Sequence, residues 1–114
     1  MRKFYNRAIR IDGYSLFGTL IYKFDQRIAW SWSDGYITAV TAHYSYSAYT
    51  CWPWSYAGLA SESESGGVDY PYFSRFSQGI FNLVIGGWVF DSASPWLWME
   101  VYGDGSFAYS GDPG

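Results

Sequence analysis

The chain reads as all-β, a single antiparallel β-sandwich or flattened barrel, and three observations predict it. Apolar and polar residues alternate with the two-residue period of a strand, most plainly where Ile28, Trp30 and Trp32 interleave with Ala29, Ser31 and Ser33. The alternating runs are short and broken by turn-forming pairs, Asp12-Gly13, Asp34-Gly35, Gly86-Gly87 and Asp104-Gly105. No stretch keeps a helical period over about eleven residues, and no fixed-length repeat suggests a solenoid or propeller.

Taken in order, residues 3–11 (KFYNRAIRI) predict a strand with Tyr5, Arg7, Ile9 and Ile11 on one parity, ending at the Asp12-Gly13 turn. Residues 14–24 set Tyr14, Leu16, Gly18, Leu20, Tyr22 and Phe24 against Ser15, Thr19 and Lys23. Phe17 and Ile21 intrude on the polar side, which suggests a strand covered on both faces. Gly18 in its middle suggests a bulge or a close backbone approach. Asp25-Gln26 reads as a short connection into a hairpin spanning Ile28 to Tyr46. Its Asp34-Gly35 turn is the strongest short-range signal in the chain, because both residues tolerate positive φ.

Trp52-Pro53-Trp54, flanked by Tyr49 and Tyr56, reads as an edge strand or a loop crossing the core, since proline cannot donate to a ladder. Residues 59–69 (LASESESGGVD) read as an exposed flexible loop. A short strand or turn over 70–76 precedes a strand from Ile80 to Ile85, and Gly86-Gly87 turns that strand into Trp88–Phe90. After a loop at 92–95, Trp96 to Tyr102 is a strong strand, and Gly103-Asp104-Gly105 turns it into Phe107–Tyr109. The expected division is a basic N-terminal strand or arm over 1–13, an aromatic-rich domain over 14–110 and a frayed tail over 111–114.

A chain of 114 residues suits one domain. Charged residues make up 15%, below the roughly 25% of an average soluble protein, while aromatics reach 24%. Large rings let a small chain bury a substantial core, so disorder is not expected. Basic residues crowd the start, at Arg2, Lys3, Arg7, Arg10, Lys23 and Arg27, after which only Arg75 follows on an otherwise acidic body. The net charge of −3 argues against nucleic acid as a partner. Cys51 is the only cysteine, so neither an internal disulfide nor a cysteine metal site is expected. No apolar run approaches the roughly 20 residues of a helical membrane span. The opening MRKF has the charge of a secretion-signal start, but Asn6, Arg7, Arg10 and Asp12 interrupt any apolar run. The expectation is a chain made without such a signal, or a mature form with Met1 added.

Candidate chemistry is sparse. His43 shares the parity of Thr41 and Ser45 and is expected on the polar side of its strand, solvated rather than acting as a base. No nucleophile-elbow motif supports a serine triad. Glu62 and Glu64 lie in the expected loop, where solvation fits better than a glycosidase carboxylate pair. Nothing resembles a calcium or phosphate loop. No catalytic residue, metal or cofactor is therefore expected, and the chain does not read as an enzyme. Glu100 stands apart, in a row with Trp96, Trp98 and Tyr102 opposite the apolar set Leu97, Met99 and Val101. With successive members about 7 Å apart, the row is either a presented face or one side of a strand buried on both.

The expected function is a non-catalytic structural or interaction subunit. Its partner-binding residues would be Arg2, Lys3, Phe4, Tyr5, Arg7, Ile9 and Arg10, an extended basic segment suited to strand addition on an acidic neighbour. Self-contact of this kind is heterologous and closes a ring or grows a filament. The simpler alternative makes residues 3–11 the edge strand of their own sheet. A second function is carbohydrate binding on an aromatic platform, either Trp96, Trp98, Glu100 and Tyr102 or the pair Trp52 and Trp54.

Two segments carry a resemblance. DQRIAWSWSDGYIT, residues 25–38, sets a Gln before a Trp and a turn, and PWLWMEVYGDGSFAYS, residues 95–110, leads a Pro-Trp strand into a Gly-Asp-Gly turn. Both are similar to segments that recur in small secreted β-rich proteins of actinobacteria, over Gln26–Thr38 and Phe81–Ser110. Those proteins tend to carry cysteines where Ser31 and Val84 stand here. The resemblance implies export to an extracellular setting and a β-fold, and it implies no activity.

Overall fold

Asp34 and Gly35 take positive φ, 53° and 83°, and close the hairpin that their pairing predicts. The hairpin joins β2 (Leu20–Ser33) to β3 (Tyr36–Thr50), and β1 (Lys3–Tyr14) pairs along the other side of β2. The computed structural model describes residues 3–114. A second sheet has the order β4 (Trp54–Gly66), β5 (Tyr72–Ile85), β7 (Trp96–Tyr102) and β8 (Phe107–Asp112), with β6 (Trp88–Ala93) pairing the far end of β5. All pairings are antiparallel. The sheets pack face to face, β1 over β7 and β8, β3 over β4 and β5. They do not join into a barrel, so this is a sandwich. It is long and thin, 55 × 23 × 17 Å.

The core follows from parity. On β2 the even residues Tyr22, Phe24, Ile28, Trp30 and Trp32 face the second sheet, which answers with Phe73 and Phe81 from β5 and Leu97, Met99 and Val101 from β7. Tyr22 stacks on Phe81 at 4.3 Å, and Phe24 meets Phe81 edge-on at 6.3 Å. The Trp30 indole N–H donates to the Tyr102 carbonyl at 3.2 Å and ties the sheets across the core. At the Asp34-Gly35 end two glycines permit contact that no side chain would. A Cβ on Gly103 would lie 2.1 Å from the Gly35 carbonyl oxygen, and one on Gly105 would lie 2.5 Å from the Trp32 ring.

Several expected boundaries move. Asp12-Gly13 is not a turn, because β1 continues through both and the chain reverses over Ser15–Thr19. Gly13 is needed for packing instead, since a Cβ there would lie 2.1 Å from the Tyr22 ring. Gly18, read as a mid-strand bulge or a close backbone approach, is neither: it sits in that turn with φ 82° and open space around it, and Phe17 projects from the turn into water. Asp25-Gln26 is no connection but the buried middle of β2. The Ser/Glu run expected to be a flexible loop is the second half of β4, paired with β5 from Trp54↔Leu83 to Gly66↔Phe73. The two segments read at 70–76 and 80–85 are one strand, β5. Trp52-Pro53, joined by a cis peptide bond, lies in the link that carries the chain from one sheet to the other. At the C-terminus β8 runs to Asp112, and the Tyr22 hydroxyl donates to the Pro113 carbonyl.

Candidate functional site

Three places gather the residues of interest, and the first was not anticipated. Toward the β3–β4 margin the interior turns polar. Gln26 of β2 is fully buried, and its amide N–H donates to the Arg75 carbonyl on β5 at 3.0 Å. The rest form a relay. The Arg75 guanidinium donates to the Ser45 hydroxyl at 3.3 Å, Ser45 to Ser77 at 2.7 Å, and Ser77 to the Gln26 side-chain carbonyl at 2.6 Å. Arg75, with 5% of its side chain exposed, also donates to Glu62 at 2.9 Å and Glu64 at 3.1 Å, both on β4. Glu64 in turn lies 2.5 Å from His43 Nδ1.

A cleft of about 480 Å³ opens beside His43, Ser45, Glu62, Glu64 and Arg75. The Ser45 oxygen accepts from a guanidinium, which withdraws electron density, and no base holds its proton. The arrangement therefore satisfies buried charge rather than activating a nucleophile. Sequence reasoning put Glu62 and Glu64 in solvent and His43 on the outer face. All three are solvent-exposed, as expected, but they stand on the inward parity of their strands, at the open margin of the polar interior. The signal was present in part: Ser61-Glu62-Ser63-Glu64-Ser65 has strand parity, and Arg75 is the one basic residue after Arg27. For His43 the parity shifts because β3 carries an extra residue, Thr41, between Val40↔Trp30 and Ala42↔Ala29.

The second place is the outer face of the β4–β8 sheet. Leu97, Met99 and Val101 are buried while Trp96, Trp98, Glu100 and Tyr102 point outward, half-buried. Among the described residues no layer covers that face, so the row is presented rather than enclosed. Register extends it sideways. Tyr72, Ser74, Phe76 and Gln78 of β5 stand opposite Tyr102, Glu100, Trp98 and Trp96. The Phe76 and Trp96 rings lie 5.9 Å apart. The Tyr102 hydroxyl donates to Glu100 at 2.7 Å, which raises its pKa. Trp52 and Trp54 do not form a platform together, since Trp54 packs on the core while Trp52 projects outward.

The third place is β1. Strand β1 pairs with β2 of its own chain from Lys3↔Trp32 to Tyr14↔Leu20. Ile9 is buried in the core, and Arg10 is held by Asp25 through bonds of 2.6 and 2.9 Å. Two of the expected partner-binding residues are thus committed to the chain's own fold. Phe4 and Tyr5 remain exposed, and the Arg7 guanidinium lies 4.3 Å over the Tyr5 ring. Arg2 lies outside the described residues. The outer edge of β1 pairs with no other strand among the described residues.

No family model, curated protein or solved structure matches this chain.

Proposed function

We propose that the chain is a non-catalytic interaction subunit that assembles with further copies of itself by strand addition. One observation carries this: β1 presents an unpaired edge twelve residues long with Phe4 and Tyr5 exposed beside it. Such an edge offers a row of unpaired N–H and C=O groups. Its basic side chains disfavour β1 against β1, because like charges directly opposite repel. The open edge of β4, with Glu62 and Glu64, is the better complement. A β1-to-β4 contact is heterologous and yields a ring or filament. The similarity of Gln26–Thr38 and Phe81–Ser110 to exported proteins favours an extracellular setting.

Light scattering across a concentration series tests the assembly. Removing residues 1–11 would strip Ile9 from the core and uncover β2, so the informative variant is Phe4→Glu/Ala8→Glu, which adds two negative charges and cancels the net positive charge of β1. The expected result is an oligomer that this variant reduces to monomer. A native chain that stays monomeric at high concentration overturns the proposal.

A second reading, carbohydrate binding, is favoured by the row Trp96, Trp98, Glu100 and Tyr102 on an uncovered face. Apolar sugar faces stack on rings while hydroxyls seek the carboxylate. Tryptophan fluorescence that polysaccharides shift in the native chain but not in Trp98→Ala would support it, and a glycan array without hits would remove it.

A further inference from the structure

The two ends of the sandwich differ in kind. One end gathers the Ser15–Thr19 turn, the Cys51–Pro53 link and the Gly86-Gly87 turn. Backbone bonds hold the link against both sheets, Cys51 N–H to the Ile21 carbonyl at 2.8 Å and Val84 N–H to the Pro53 carbonyl at 3.2 Å. Leu16, Phe17, Trp52 and Trp88 project here at 102%, 95%, 88% and 75% exposure, with Val89 and Phe90 beside them. None of these three connections contains Lys or Arg. The opposite end carries the exposed Asp34, Asp69 and Asp104.

We infer that the apolar end enters the surface of a lipid bilayer without net charge, seating the molecule end-on with its acidic turns in water. Tryptophan suits that boundary, having an apolar body and one N–H to leave wet. The projecting side chains ride on separate turns, each at least 75% exposed. A folded partner would need a matching hollow, and two such ends would touch at few points, whereas a fluid layer conforms to whatever enters it. With no Lys or Arg in the three connections, this end lacks the polybasic segment that anionic headgroups attract. Behind the Leu16–Phe17 turn a cleft of about 810 Å³ opens at this same end, walled by Ile21, Tyr22, Trp54 and Leu83 and lined also by Asp12 and Asp91. Entry of this kind is interfacial. No helix of the described residues is long and apolar enough to cross a membrane.

Co-sedimentation with vesicles, read together with tryptophan emission, tests the inference. The native chain is expected to bind phosphatidylcholine vesicles with a blue shift, no less tightly than vesicles containing phosphatidylglycerol, and to be indifferent to added salt. Phe17→Ser/Trp88→Ser removes two exposed apolar groups and is expected to weaken binding about tenfold or more. Leu16→Ser/Trp52→Ser does the same from different turns, should the first variant fail to fold by infrared amide I. Trp98→Ser, on the sheet face, leaves binding unchanged. Failure to bind phosphatidylcholine, binding that requires the anionic lipid and is lost in salt, or binding that survives both double substitutions overturns the inference. So does a dimer that these substitutions dissociate in the absence of any vesicle binding, since a second copy would then be the occupant.

Discussion

The space between the two sheets is filled in two ways. Around Phe24, Trp30, Phe81 and Met99 it is hydrocarbon, and toward the β3–β4 margin it is a chain of hydrogen bonds through Gln26, Ser45, Ser77 and Arg75. Apolar contacts are numerous and individually weak, so a group of similar volume replaces another at little cost. Hydrogen-bonded groups in a low-dielectric interior depend on each other, and a missing partner leaves the remainder unsatisfied. The hydrocarbon half therefore specifies volume, whereas the polar half specifies identity and alignment. Gln26 reaches the Arg75 carbonyl only when β2 and β5 sit in one relative position.

Substitutions separate the two halves. The largest loss is expected from Phe81→Ala, about 3–5 kcal/mol by urea unfolding, with Phe81→Leu far milder because it keeps most of the volume. Arg75→Met should lose about 3 kcal/mol, by stranding the groups that its guanidinium satisfies. Adding Glu64→Leu to it should return part of that loss. If the double variant is instead worse than the single, the polar half does not behave as one connected unit.

Alkaline pH probes the boundary where a polar atom enters the hydrocarbon half. Burial, with Asp112 adding to it, pushes the Tyr22 hydroxyl from its usual 10.0 up to about 12. The folded state holds this proton more tightly than the unfolded state, so the associated stability is complete below about pH 10 and is lost as pH rises toward 12. A thermal melting series should show that decline, and Tyr22→Phe should flatten it. The smallest effect belongs to Glu62→Gln, within about 1 kcal/mol, because 56% of the Glu62 side chain is exposed and water screens its pairing with Arg75.

Legibility in the sequence tracked the same divide. The apolar interior could be read because parity is periodic: Ile28, Trp30 and Trp32, and Leu97, Met99 and Val101, all face inward as their spacing predicts. Asp34-Gly35 and Gly86-Gly87 could be read because positive φ restricts residue choice. The polar interior could not. Its residues have the composition of a loop, and burial becomes tolerable only through partners on other strands, such as Arg75 opposite Glu64. Bulges hid the rest. Thr38, Thr41 and Ala48 are extra residues in β3. Each shifts the parity of the strand residues beyond it, and none has a compositional mark that separates it from an ordinary strand residue.

The length of the sandwich has a consequence for how the molecule moves. Its radius of gyration is 16.3 Å, against about 13 Å for a chain near this size folded into a ball. An elongated body drags more solvent, so a lone copy will travel through a gel-filtration column as a heavier particle would and can pass for a dimer by elution alone. Rotation will be uneven as well, slow end over end and fast about the strand direction. Backbone N–H bonds in both sheets point across that axis, so most amides should share one NMR relaxation rate, and those in the turns at either end should depart from it.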